Sequence, residues 1–391
     1  MPTRRRIAAL CTALLTLAGC GNPQGGHQNA SRGAGTSDHR TAAAWRYDYT
    51  GKNTNAAFAD IAAASADDAW AIGKSPVTGW VDIHETLLFH YDGKTWRPYG
   101  LPPPLRHLDD LSSVRLDAAG PRDVWLFAGV TTNPGSGRTP LAAHWDGTAW
   151  QAVDLPRGFP EVVRDVAVFG PGDVWAVDGS DTAWHWDGRH WQLFRLPGTA
   201  QALGGASGRD LWAVGFSLTR EQVARPAAMH WDGRTWTKAA TPSIPPGSKD
   251  DPHDGELTRV VALSAHDVRA FGTVSSEGGD SDAYSAGLAL RWDGTRWSED
   301  DGAPWVTGDA GNAIMLTPKR YMTLSGEEER ITQPPCLAGR PGRLGEGGCR
   351  QKLQLQDYAA VPGTRQVWGV GSVRGGAFPS RPVIVRFTTA P

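Results

Sequence analysis

Cysteine and methionine each occur only four times in 391 residues, and the longest mostly apolar stretch, Ile7 to Ala18, has twelve. A bilayer core needs about 20 helical residues, so that stretch is too short to span. A basic surplus is also missing. Net charge is −2, and it moves to −5 once the first 19 residues, with three arginines and no acid, are set aside. That argues against a nucleic-acid partner. No G-x-S-x-G elbow, no H-E-x-x-H pair and no phosphate-cradling loop before a helix is found. What is abundant instead is glycine (48), proline (28) and tryptophan (18). This composition points to a turn-rich, all-β chain.

The chain opens with a basic head, Arg4 to Arg6, then the apolar stretch and Leu17-Ala18-Gly19-Cys20. This has the size of a signal-peptide core. It resembles the lipobox of bacterial lipoproteins, which implies cleavage before Cys20 and diacylation of its thiol. The expected parts are a signal peptide over 1–19, a flexible tether over 20–43 and a folded region over 44–391. Thr3 to Ile7 faintly resembles a twin-arginine export signal, and an ordinary basic head reads equally well. The tether is rich in Gly, Ser, Asn and Gln and would hold the folded part about 25–30 Å from the membrane. His27 and His39 fall within it as solvated tail residues. The remaining thiols, Cys336 and Cys349, suggest a disulfide in an oxidising compartment, contributing roughly 3 kcal/mol. A two-Cys metal site is the weaker reading, because no His or acid pattern completes four ligands.

Internal repetition decides the fold class. A first motif, Asp-x-Trp before a small or apolar run, appears at Asp68–Gly73, Asp123–Gly129, Asp173–Gly179 and Asp210–Gly215. Weaker copies start at Asp267, Lys319 and Gln366. A second motif, aromatic-Asp-Gly-x-x-Trp, follows the first five copies, at Tyr91–Trp96, Trp145–Trp150, Trp186–Trp191, Trp231–Trp236 and Trp292–Trp297. Fifteen of the 18 tryptophans sit in these motifs or at the matching Trp45; only Trp80, Trp184 and Trp305 stand outside. Trp70 to Trp368 spans six intervals averaging about 50 residues, the length of a four-stranded kelch-type blade. Apolar runs of four to seven residues bounded by Gly, Asp and Pro read as strands, and Asp-Gly as a type I′ hairpin turn.

The predicted architecture is therefore a seven-bladed β-propeller of four-stranded antiparallel blades. The C-terminal PVIVRFTTAP reads as a third strand with no fourth after it. The segment from Ala44 to Tyr49 reads as the missing strand, so the N-terminus is expected to complete the last blade and hide its edge. The sixth blade departs from the pattern, because no Trp-Asp-Gly turn occurs between Gly326 and Gln351. A Cys336–Cys349 bond would clip that hairpin.

These repeats resemble the β-propellers of exported bacterial proteins, many of actinobacterial type, that carry D-x-W-A-V-G and W-D-G-x-x-W signatures. A weaker resemblance is to the Asp-box turns of sialidases, where the box is itself structural. Both are informative on fold and nearly silent on function.

Candidate chemistry is sparse. His90, His144, His185 and His230 precede the aromatic residue of the second motif, but equivalent positions in separate blades lie about 10 Å apart, too far to share a metal. They read as hydrogen-bonding strand residues. The acidic stretch Lys249 to Glu256 reads as a solvated insertion in preference to a calcium loop. Tyr284 and Tyr321 are the candidates for a sialidase-like site, with nothing tying them to partners. Loops joining second to third strands, and blade to blade, open on one face. Trp80 and Trp305 fall in those loops and are the ligand-binding candidates, with His84 and Arg138 beside them. Trp184 is expected in the core. The leading expectation is a monomeric, lipid-anchored, extracytoplasmic binding propeller for a protein or a cell-envelope glycan, with no metal and no cofactor. The alternative is a glycan-active hydrolase or lyase at the channel mouth.

Overall fold

The computed structural model describes residues 43–52, 55–76, 84–101, 114–131, 137–245, 247, 252–276, 284–300, 308–309, 314–323, 327–337, 351–375 and 380–389. Its strands form seven four-stranded antiparallel sheets, and no helix occurs among the described residues. Blade 1 runs Ala57–Ser65, Asp68–Pro76, His84–Tyr91 and Trp96–Pro98. Blades 2, 3, 4 and 5 repeat that order, their inner strands being Arg115–Gly120, Asp165–Gly170, Thr199–Ser207 and Asp254–Ser264. Blade 7 consists of Gln351–Ala360, Gln366–Gly375 and Arg381–Thr388, closed by Arg46–Thr50 antiparallel to the last of them. The N-terminal strand thus completes the final sheet, as its sequence predicts, and the chain is a seven-bladed propeller.

The core is distributed between blades. Seven apolar clusters occur, each drawing on two adjacent blades, from the blade 1–blade 2 cluster around Trp70 and Trp150 to the blade 7–blade 1 cluster around Trp368 and Phe58. The first-motif tryptophan of one blade enters the aromatic pair of the next. Trp70 lies 4.9 and 5.1 Å from Trp145 and Trp150; Trp212 lies 4.9 and 5.0 Å from Trp292 and Trp297; Trp368 lies 5.1 Å from both Tyr91 and Trp96. Such tilted and edge-on pairs contribute about 0.5–1.5 kcal/mol each beyond area burial. Trp184 packs on Phe159 and is 8% exposed, in the core as expected.

Each first motif is also an anchor for its own blade. The Asp carboxylate receives the His of the third strand, at 2.8 Å for Asp123–His144, 2.9 Å for Asp173–His185 and 2.7 Å for Asp210–His230. That imidazole lies over the motif tryptophan, 4.2 Å away for Trp175–His185. Trp125 Nε1 donates to Asp123 as well, at 2.9 Å. Where the sequence has Arg291 in place of His, its guanidinium meets both oxygens of Asp267 at 3.0 and 3.2 Å. Three of the four histidines are hydrogen-bonding strand residues, as read from sequence, while His90 stands 3.3 Å from Asp68 Oδ1 without a hydrogen bond and stacks on Trp70 at 4.2 Å.

Two features differ from expectation. The Asp-Gly turns carry positive φ only at glycine (Gly93 82°, Gly147 93°, Gly233 86°), while both residues of a type I′ turn require it. Asp92 Oδ1 accepts from the N–H groups of Lys94 and Thr95, so the side chain holds a four-residue turn between the paired Tyr91 and Trp96. In blade 6 the strands are Gly308–Asp309, Ile314–Thr317, Arg320–Met322 and Glu328–Arg330. The strand bearing Tyr321 is therefore third in its sheet, whereas the motif strand is second elsewhere. Tyr321 still fills the tryptophan place, fully buried 5.3 Å from Phe387. At the blade 5–blade 6 seam Arg269, only 4% exposed, replaces the tryptophan and faces Asp300 at 3.5 Å.

Candidate functional site

The inner strands surround a cavity of about 730 Å³ lined by six of the seven blades. Its polar lining has a register. Aligned on the first-motif strand, one position per blade is Asp60, Arg115, Asp165, Ala202, Arg259 and Asp357 in blades 1, 2, 3, 4, 5 and 7. In blades 1, 4, 5 and 7 the residue just before it is bulged out of the ladder. A bulge re-aims side chains, here toward the channel. The motif glycine faces that bulge: a Cβ on Gly73 or Gly215 would run into the carbonyl oxygen of Ala57 or Thr199. The small residue that ends D-x-W-A-V-G is thus demanded by the channel wall.

The carboxylates tie blade to blade. Asp357 Oδ2 accepts the Ile61 N–H at 3.2 Å, Asp60 Oδ1 that of Leu116 at 3.3 Å, and Asp165 Oδ2 that of Leu203 at 2.8 Å. One layer along the channel, Asp117 Oδ2 accepts the Val168 N–H at 2.7 Å. Arg115 spans the same seam, with Nε on the Arg164 carbonyl at 2.7 Å and Nη1 3.8 Å from Asp60. Burial pushes all four carboxyls up: Asp117 to about 7, Asp60 well above the usual carboxylate range with the Asp357 charge adding to it, and Asp165 and Asp357 in the same direction.

The sector between blades 4 and 5 is built differently. Ala202 holds the ring position in blade 4, so no carboxylate clips that seam at the level of the ring, and the absence of a Cβ on Gly204 lets the strands close against Val260. There Gln201 Oε1 is buried without a hydrogen-bond partner, and Arg259 makes no hydrogen bond among the described residues. Gln201 Oε1 thus faces the cavity uncommitted, while the Arg259 charge acts on Asp165 and Asp357. Among the described residues no group of three or more His, Cys, Asp or Glu is placed to hold a metal ion.

The sequence-derived site residues fall partly outside the described residues. Trp80 and Trp305 lie outside the described residues, as do Lys249 to Asp251. The His84 backbone opens a strand opposite Pro76. Arg138 opens another, and its N–H donates to Glu161 Oε2 at 3.2 Å. Tyr321 is sealed in the blade 6–blade 7 seam and unavailable for chemistry; Tyr284 is 38% exposed and stacks on His253 at 4.3 Å. The channel ring escaped sequence reasoning, although it leaves a mark: Asp60, Arg115, Asp165 and Arg259 each stand eight residues before a first-motif Asp.

No family model matches the sequence, and no curated protein matches it. Similar solved structures include YCF48 bound to D1 peptide (13% identity, 88% of this chain and 97% of that chain, TM-score 0.46). A protein of unknown function from Dyadobacter fermentans shows 12% identity over 88% and 98%, at TM-score 0.44. The SapL1 lectin in complex with alpha methyl fucoside shows 13% identity over 85% and 97%, at TM-score 0.39. With every TM-score below 0.5, these likenesses carry no argument about this chain, whose propeller is read from its own seven sheets.

Proposed function

We propose that this chain is a lipid-anchored, extracytoplasmic binding propeller that recognises a protein or a cell-envelope glycan through its loop-bearing face. The observation that carries the binding reading is the commitment of the channel carboxylates. All four accept backbone N–H groups from the neighbouring blade, which makes them closure devices, while Gln201 Oε1 stays open to a ligand. Anchoring through Cys20, the 20–43 tether and a monomeric state belong to the same proposal and rest on the sequence. So does a Cys336–Cys349 clip, which the disulfide-bonded state of Cys336 supports.

The test is recovery of envelope proteins and glycans on the immobilised full chain, compared with a Trp80→Ala, Trp305→Ala variant. Selective capture that falls in the variant supports the reading. Equal recovery removes the two tryptophans from the site, and no selective capture overturns the reading. A second reading, a glycan-active hydrolase or lyase, is favoured by one observation: Asp117, pushed up to about 7, holds a proton near neutral pH as a general acid must. Polysaccharide turnover abolished by Asp117→Asn would establish it.

A further inference from the structure

Blade 4 carries a second cavity, of about 470 Å³, at the end of the sheet where its second-to-third hairpin and its connection to blade 5 emerge. Arg225 and Pro226 come from the start of the third strand, Ala224–Trp231. Lys238 and Ala239 come from the end of the fourth, Trp236–Ala239, and the connecting residues 240–244 close the far wall. Two cations and an apolar wall of Pro226, Pro242 and Ile244 therefore share one cleft, whose lining has no acid and no aromatic ring among the described residues.

The cations are held in place. Arg225 Nη1 donates to the carbonyls of Ala224 at 3.1 Å and His253 at 2.6 Å, and the rest of its guanidinium has no partner among the described residues. Lys238 Nζ donates to Ser217 Oγ at 2.6 Å, with further donor capacity to spare. Neither has an acidic partner among the described residues; Asp254 spends its Oδ1 on the Ala224 N–H at 2.6 Å. Thr241 Oγ1 bonds the Pro226 carbonyl at 2.8 Å and pins the connection to the strand, so the cleft is formed before any ligand arrives.

We propose that this cleft binds a carboxylate-bearing peptide segment, an inference that rests on the binding reading above and gives that face a ligand class. The carboxylate sits between Arg225 and Lys238, where charge-assisted hydrogen bonds from a fixed guanidinium are strong. An adjoining aliphatic side chain packs on the half-buried Pro242, behind which Pro226 and Ile244 are already buried against blade 5. A sugar ring is the poorer occupant, because the described lining offers no aromatic face to stack on.

The test is a titration of the full chain with acetyl-Ala-Leu-Glu-Ala-amide, its Gln counterpart and an oligoglucuronate. The Glu peptide should bind roughly tenfold tighter than the Gln peptide, about one charge-assisted contact. Arg225→Gln with Lys238→Gln should remove that difference at an unchanged melting temperature. Lys238→Gln alone, at an exposed position, should remove part of it and serves if the double variant unfolds. Equal binding by wild type and variants overturns the site. Binding of oligoglucuronate without the Glu peptide overturns the peptide class and leaves the binding reading standing. No binding of any probe overturns the cleft proposal, while the envelope capture experiment decides the broader reading separately.

Discussion

Replacing Asp117 by Asn isolates the cost of keeping a carboxyl in the channel wall. The carboxyl is pushed by burial from an ordinary 3.8 to about 7, while its Oδ2 ties blade 2 to the Val168 N–H of blade 3. Between those two values the folded chain holds a proton that the unfolded chain has released. Its stabilising contribution is therefore complete below about pH 4 and is lost as pH rises to 7, after which it is flat. Three pKa units at 1.36 kcal/mol each give about 4 kcal/mol as an upper figure, since Asp165 and Asp357 ionise in the same field. Asn keeps an oxygen for the Val168 N–H and cannot ionise. The stability of Asp117→Asn relative to wild type should thus climb by up to about 3 kcal/mol from pH 4.5 to pH 8, read from urea midpoints and slopes at each pH. Taking the difference cancels the opposite contribution of turn acids such as Asp187 and Asp293, both held at about 2 by backbone and side-chain hydrogen bonds and lost in acid. Parallel pH profiles for the two proteins would refute the reasoning.

Three further outcomes follow from the same geometry. His144→Ala leaves the buried Asp123 carboxylate one partner short and should lower stability by about 1–3 kcal/mol, against under about 0.5 for the exposed His190→Ala, by chemical denaturation. Gly215→Ala drives a methyl into the Thr199 carbonyl and should cost about 1–3 kcal/mol in the same assay, with no change expected from the open-space Gly120→Ala beyond a few tenths. Cys20→Ser should move the chain from the membrane to the soluble fraction of an expressing cell; unchanged partitioning would remove the anchor.

The fold was legible in the sequence because the repeat is written in large residues that do one job. A tryptophan two places after Asp and a pair around Asp-Gly can be aligned by eye, and the lone Trp45 reveals a strand belonging to the far end of the chain. The four-residue turn was misjudged because its conformation is set by an Asp side chain taking two N–H groups, a contact that outweighs the dipeptide preference. Blade 6 was seen to be irregular, but its shifted strands have no tryptophan to mark them. The channel ring was less visible still. Asp60 and Arg115 occupy one register position with opposite charge, so no repeated letter exposes them; only their fixed distance to the next motif does. The blade 4 cleft joins residues from two strands and a connection, which spacing alone does not bring together.

The central channel depends on the ring being closed by its N-terminal strand. Arg46 and Arg386 stand directly opposite each other across that joint. In a Cys20→Ser background, Arg46→Cys with Arg386→Cys should form a disulfide within one chain on mild oxidation, seen as a faster-migrating monomer that reductant reverses. Free thiols, or disulfide-linked dimers in place of the compact monomer, would contradict the closed seven-bladed ring.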